Sequence, residues 1–288
     1  MIVNADDFGL TSGVNRAIAE LHAEGVLTSA TLMARAAAMD EAVAIALATP
    51  TLGVGCHVVL VDGEPALSAR CDIPNLANAR SGRFRSSLPG FLAWLFDDSQ
   101  RRGQGDPTAG REIEAETAAQ IALLQHRGRG LRLTHIDTHK HTHMFPAVLR
   151  PVLRAAKAAG IFAVRNPFEP AWSIRATSGA PWLRRAEVSL LRRVFEPEFR
   201  RIVAEEGCKT TDGAMGVLAT GTLDSATVNS LLRQMPPGTW ELVTHPGYND
   251  AGLAEVKTRL RDSREAELEA LKGLRLFRNL KLNSFAQL

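Results

Sequence analysis

The chain has 288 residues, of which 45% are hydrophobic and 23% charged, and its 34 Lys and Arg against 31 Asp and Glu leave a formal net charge of +3. An ordinary apolar fraction with nearly balanced charge excludes a disordered chain, and so small a positive excess argues against a general nucleic-acid binder. The length accommodates one large α/β domain with a substantial core. In chain order, Ile2–Ala5 reads as a strand, and Thr11 or Ser12 caps a helix over Gly13–Glu24 that Gly25 ends. There follow strand Ser29–Met33, helix Asp40–Ala48, strand Leu52–Leu60, helix Glu112–Gln125, strand Leu131–Ile136 and helix Ala147–Ala159. Strands Ile161–Val164 and Ala214–Leu218, helix Ser225–Gln234 and strand Trp240–Val243 complete the series.

This alternation, without a break in composition, predicts a distorted (βα) TIM-like barrel formed as a single domain over residues 1–288. An open doubly wound sheet is the alternative, but the Gly-rich turn that marks it is missing. Two stretches interrupt the pattern, roughly residues 61–110 and 167–208, and are read as insertions that form lids or binding loops. The second contains Trp182–Phe199, where Leu183, Ala186, Leu190 and Val194 follow helical spacing and Arg184, Arg185, Arg192 and Arg193 lie largely off that stripe. A barrel-packing helix and a helix lying on an anionic membrane surface are both compatible with it. Of the basic residues only six are Lys and 28 are Arg, which reads as codon bias. Cys56, Cys71 and Cys208 are odd in number and widely spaced, and the N-terminus has no signal-like core, so a cytoplasmic protein without disulfides is expected.

The chemistry-bearing residues gather at predicted strand ends. The first strand runs into Asn4-Ala5-Asp6-Asp7-Phe8-Gly9, and Gly55-Cys56-His57 ends another apolar run. Thr134–His143 reads THIDTHKHTH, in which His135, Asp137, His139, His141 and His143 all hold odd positions and share a face while the strand lasts. Arg165 follows Val164, and His245 precedes Pro246-Gly247 and Tyr248, the only tyrosine. Two histidines and a carboxylate at converging strand ends suit a divalent metal that activates water, and a histidine beside such a centre suits a general acid. Spacing alone does not separate the roles of the neighbours Asp6 and Asp7.

Together, the NADDFG start, the G-x-H of Gly55–His57, the THIDTHKHTH segment and the late THPG resemble the YdjC-like carbohydrate deacetylases over nearly the whole chain, in order. In length and insertions the chain is most similar to the hopanoid-biosynthesis-associated branch of that family. The resemblance implies a distorted barrel, one divalent ion (zinc or magnesium) and removal of an N-acetyl group from an amino sugar; the Trp182–Phe199 segment and the apolar patch Phe91–Phe96 together suggest that this sugar is lipid-linked, of the hopanoid kind. Carried over position by position, it implies Asp7, His57 and His139 as metal ligands, Asp6 as base, His245 as acid and Arg165 near the base. His141, His143, Tyr248 and Trp94, the last within the apolar patch Phe91–Phe96, are expected to contact substrate. A homodimer and peripheral contact with the inner membrane face are further expectations; nucleic acid is not an expected partner. Lys140 departs from the family pattern and adds a cation near the site. A metal-dependent phosphoesterase and a non-catalytic sugar- or lipid-binding module are the alternatives, which a second metal or a missing acid–base pair would favour.

Overall fold

The computed structural model describes residues 1–100, 108–277 and 280–288. In chain order, β1 (Ile2–Phe8), α1 (Ser12–Ala23), β2 (Ser29–Leu32), α2 (Met39–Ala48) and β3 (Gly53–Val58) form the first βα units. A short hairpin, β4 (Ala77–Asn78) and β5 (Arg83–Phe84), precedes α3 (Leu88–Gln100) and α4 (Thr108–Arg127). Next come β6 (Leu133–Thr138), a 3₁₀ turn (His139–Met144), α5 (Pro146–Ala158), α6 (Ala171–Ala176) and α7 (Trp182–Glu205). The chain continues through β7 (Gly213–Met215), α8 (Ser225–Gln234), β8 (Trp240–Thr244), α9 (Ala251–Glu255), α10 (Ser263–Lys272) and a last 3₁₀ turn (Phe285–Gln287). The predicted cap of α1 is present, with the Thr11 hydroxyl accepting from Val14 N–H at 3.3 Å.

Six strands form one parallel sheet in the order β6-β3-β2-β1-β8-β7. It curls into a half-barrel, so the barrel expectation is corrected: the predicted strand Ile161–Val164 forms no ladder. It lies between the two sheet edges and makes single bridges, Val164 with Ile136 and Ala163 with Lys209. Further along, Ala214 N–H donates to Phe168 O at 3.1 Å on the β7 side. Pro167 has no N–H to give, so regular pairing cannot continue through this segment.

The register explains why so many polar residues face inward. Asn4 pairs with Ser29, Ser29 with Gly53, Thr31 with Gly55, and His57 with Asp137, and paired residues of neighbouring parallel strands share a face. The concave face therefore carries a polar column instead of the usual aliphatic filling. Gly55 is required within it, because a Cβ there would stand 2.6 Å from the His135 ring. The far end is closed by the C-terminal turn, where Phe285 packs on Ile2 and Ala163 and stacks on His135 with ring centroids 3.9 Å apart.

In the first insertion, the Glu112 and Glu116 side chains of α4 accept backbone N–H groups of Asn75 and Leu76, and of Ala66 and Leu67, pinning the loop to the body. The Phe91–Phe96 patch lies on α3, where Phe91 and Leu95 are buried and Phe96 is exposed. On α7, Val188, Phe199, Ile202 and Val203 pack inward, whereas Leu183, Leu190 and Val194 are 63%, 61% and 54% exposed. The stripe read from the sequence thus faces outward, and α7 packs on the body through a different face, that of Val188, Phe199, Ile202 and Val203. No helix among the described residues is long and apolar enough to cross a membrane. Phe285→Ala is expected to lower unfolding free energy by about 3–5 kcal/mol in urea titrations, the usual cost of emptying a buried aromatic site.

Candidate active site

Asp6, Asp7, His57, His139, Arg165 and His245 are all at, or just beyond, the C-terminal ends of the sheet strands or of the bridging segment. Strict alternation would send the neighbours Asp6 and Asp7 to opposite faces. It does not, because β1 gains a residue against β2 between Ala5 and Phe8, and Asp7 adopts φ 63°. Both carboxylates therefore reach the same mouth, on either side of His57.

Three potential ligand atoms converge there. Asp7 Oδ1 is 3.7 Å from His57 Nε2 and 3.7 Å from His139 Nδ1, and the two nitrogens are 3.3 Å apart. Donors held about 2.0–2.2 Å from one ion stand about 3–3.6 Å from one another, so the triangle comes within about 0.1 Å of the spacing a single divalent cation requires. Its tuning is also present. The second Asp7 oxygen, Oδ2, is held by Arg264 Nη2 at 2.6 Å, which leaves Oδ1 facing the triangle. His57 Nδ1 bonds Asp137 Oδ1 at 2.7 Å, the carboxylate–histidine arrangement that presents Nε2 to a metal. Burial pulls the His57 pKa down, but Asp137, Asp6 and Asp7 outweigh it and carry it up to about 9. For His139, burial lowers the pKa to about 4 against the opposing pull of Asp7, so this ring is neutral.

Behind the triangle, the fully buried Arg165 guanidinium holds three carboxylates. Its Nη1 and Nη2 bond Asp6 Oδ2 and Oδ1 at 2.8 and 2.6 Å, Nη1 also meets Asp137 Oδ2 at 2.5 Å, and Nε donates to Glu241 Oε1 at 2.8 Å. Burial would raise the Asp6 pKa, yet Arg165 and then His57 hold it well below the usual carboxylate range. Glu241 is pushed up to about 7 by burial, which Arg165 only partly offsets. Asp6, His57 and Asp137 form a second group of metal-competent side chains. A guanidinium bonded to two of its three members already fills that place.

His245 lies on the other side of Asp6, with its Nε2 3.8 Å from Asp6 Oδ2 and its backbone N–H bonded to Glu267 Oε2 at 2.6 Å. The expected substrate contacts fare differently. His143 is fully buried with both nitrogens engaged, Nδ1 by Thr138 Oγ1 at 2.8 Å and Nε2 by Arg165 O at 3.2 Å, so it braces Arg165 and has no free edge. Tyr248 bonds Glu20 on α1 through its hydroxyl and stacks under Arg16 at 3.9 Å. Trp94 lies under Arg85 at 4.9 Å and lines a cavity of about 660 Å³ with Asn75, Asn78 and Arg80, none of them a site residue. His141 is partly exposed, and its buried Nδ1 has no hydrogen-bond partner among the described residues. The Lys140 cation is answered by Asp62 at 2.9 Å, and both residues have positive φ.

Sequence reasoning passed over Glu241, Arg264 and Glu267. Glu241 shares the period-2 face of His245 along β8 and was open to that argument. Arg264 and Glu267, one turn apart on α10, look like any charged helix surface in the sequence. Arg264→Met is expected to weaken zinc binding about 10–100-fold in competition titrations, since Asp7 loses its brace. Below about pH 9, an ion binding here must displace the proton on His57. Calorimetry in buffers of different ionisation enthalpy should therefore show close to one proton released per ion at pH 7.5, falling away above pH 9; none at pH 7.5 would show that His57 is already neutral there.

A family model described as YdjC-like protein matches residues 1–281. A carbohydrate deacetylase of Brevibacillus brevis is 42% identical over 157 residues, covering 54% of this chain and 55% of that protein. A chitooligosaccharide deacetylase of Salmonella paratyphi B is 36% identical over 162 residues, covering 56% and 57%. The chain thus spans about half the length of the curated relatives it matches. A crystal structure from Enterococcus faecalis V583, of a protein named for cellobiose-phosphate cleavage, superimposes with TM-score 0.74 at 23% identity over 99% of this chain and 97% of that one. That likeness concerns the fold.

Proposed function

The chain belongs to the YdjC-like family, and we propose that it is a metal-dependent hydrolase that removes the N-acetyl group from an N-acetylated amino sugar. The observation that carries this reading is the Asp7–His57–His139 triangle, with an arginine-held carboxylate, Asp6, and a histidine, His245, grouped beside it. Two imidazoles and one carboxylate would hold the ion, a donor set that suits zinc better than magnesium. What a divalent ion supplies at such a site is Lewis acidity toward a carbonyl oxygen and a lowered pKa for water.

The protein's own groups do the rest. Asp6 is kept ionised by Arg165 and accepts the proton of the attacking water. Its basicity is weak, so the water it serves must itself be acidic. His245 gives a proton to the departing amine, which leaves poorly as an anion. Arg165 holds Asp6 in place throughout, and Asp137 keeps His57 oriented.

Against a two-metal phosphoesterase stands the Arg165 guanidinium in the place a second cation would need. Against a binding module stands the acid–base pair itself, which binding does not require. For the acceptor we favour a lipid-linked amino sugar of the hopanoid kind, reached by docking α7 on an anionic membrane surface. Its support is the exposed Leu183, Leu190 and Val194 stripe with Trp182 at its head, flanked over Trp182–Val194 by four Arg against one Glu. Each basic residue near such a surface contributes about 1 kcal/mol, less where Arg184 pairs with Glu187 and Arg192 with Glu196.

His57→Ala and His139→Ala are expected to lose the ion in elemental analysis, whereas Asp6→Asn and His245→Ala retain it and lose about 10²–10⁴-fold in turnover of N-acetylated chito-oligosaccharides. A full complement of metal in both histidine variants would overturn the ligand assignment. For the acceptor, wild type should co-sediment with phosphatidylglycerol vesicles and Leu190→Glu should not; indifference of wild type to the vesicles, together with equal rates on free and lipid-linked sugars, rules the lipid reading out.

A further inference from the structure

Among the described residues, two buried polar atoms around His245 have no hydrogen-bond partner, His245 Nδ1 and Glu267 Oε1. They belong to side chains already in register. Glu267 Oε2 accepts the His245 backbone N–H at 2.6 Å and stands 3.9 Å from His245 Nδ1. Glu267 is 1% exposed on α10, and its bond to the His245 backbone keeps the carboxylate against that residue. Among the described residues, the carboxylates within 4 Å of the His245 ring nitrogens are Asp6 at Nε2 and Glu267 at Nδ1. Arg264, one turn before Glu267, reaches His245 O at 3.4 Å.

A histidine that gives up its Nε2 proton is left with the proton on Nδ1, and that N–H, buried here, needs an acceptor. We propose that Glu267 is the positioning residue of His245: its carboxylate takes the Nδ1–H, holds the ring with Nε2 toward Asp6 and the leaving nitrogen, and stabilises the imidazolium before transfer. This rests on the acid role proposed for His245. As the C–N bond breaks, its electron pair goes to nitrogen, which takes the Nε2 proton, while the Nδ1 proton stays on the imidazole against Glu267.

Full-length, zinc-loaded wild type, Glu267→Gln and Glu267→Asp would be assayed on N,N′-diacetylchitobiose and on 4-nitrophenyl acetate, whose phenolate leaves without a proton. Glu267→Gln should lower kcat on the amide with KM and zinc content unchanged, so that the amide-to-ester rate ratio falls about 10–100-fold. Glu267→Asp, which keeps the charge, should recover part of that ratio. The double variant with His245→Ala should be no slower on the amide than His245→Ala alone. Independently of turnover, the ¹⁵N shift of His245 Nδ1 in wild type should report a protonated nitrogen. An unchanged ratio in Glu267→Gln, additive losses in the double variant, or a bare Nδ1 would each overturn the proposal. Wild type without amide turnover would instead defeat the deacetylase reading.

Discussion

Arg165 is the interaction on which the rest of this molecule depends. A guanidinium with no solvent exposure is tolerable only when its desolvation is offset by partners on every side, and Asp6, Asp137 and Glu241 provide them. The consequence runs outward in steps. Asp137, fixed by Arg165, aligns His57, and the aligned His57 turns its Nε2 toward Asp7 and His139. Asp6 is held ionised by the same cation. Removing the arginine would leave three buried carboxylates facing one another, so site geometry and local stability would be lost together.

The same residue joins electrostatics to architecture. Arg165 belongs to the segment that lies between the two edges of the curled sheet and meets them through isolated bridges. Its backbone N–H bonds Ile136 O at 3.1 Å, and its carbonyl is braced by His143. Backbone pairing alone is sparse there, and the ion network inside the half-barrel supplies the tie that a full ladder would otherwise provide. The half-barrel is thus held on its concave side by charge and at its far end by Phe285.

Strain is concentrated at the same mouth. The non-glycine residues with positive φ among those described are Asp7, Asp62, Lys140 and His141. Each costs on the order of 1 kcal/mol or more and persists because surrounding contacts determine it. For Asp7 the conformation turns a second carboxylate to the site, and for Asp62 and Lys140 it accompanies an ion pair that ties the first insertion to the rim. Helix α10 adds remote support, since one of its faces carries both the brace of Asp7 and the partner of His245.

Much of this was legible in the chain itself. Period-2 placement of His135, Asp137 and His139 announced an inward polar face, and strand-end positions singled out Asp6, Asp7, His57, Arg165 and His245, because alternation and βα order are local properties that side-chain chemistry writes directly into sequence. What the tertiary structure alone decided was which groups meet. The bulge that brings Asp6 and Asp7 to one mouth, the burial of both His143 nitrogens and the outward turn of the α7 stripe depend on packing against elements distant in sequence. So does the recruitment of Arg264 and Glu267 from an unremarkable charged helix 257 residues from Asp7 in the first case. Contacts at that separation leave no periodicity behind, and a buried ion pair has the same letters as an exposed one until the fold determines which of them loses its water.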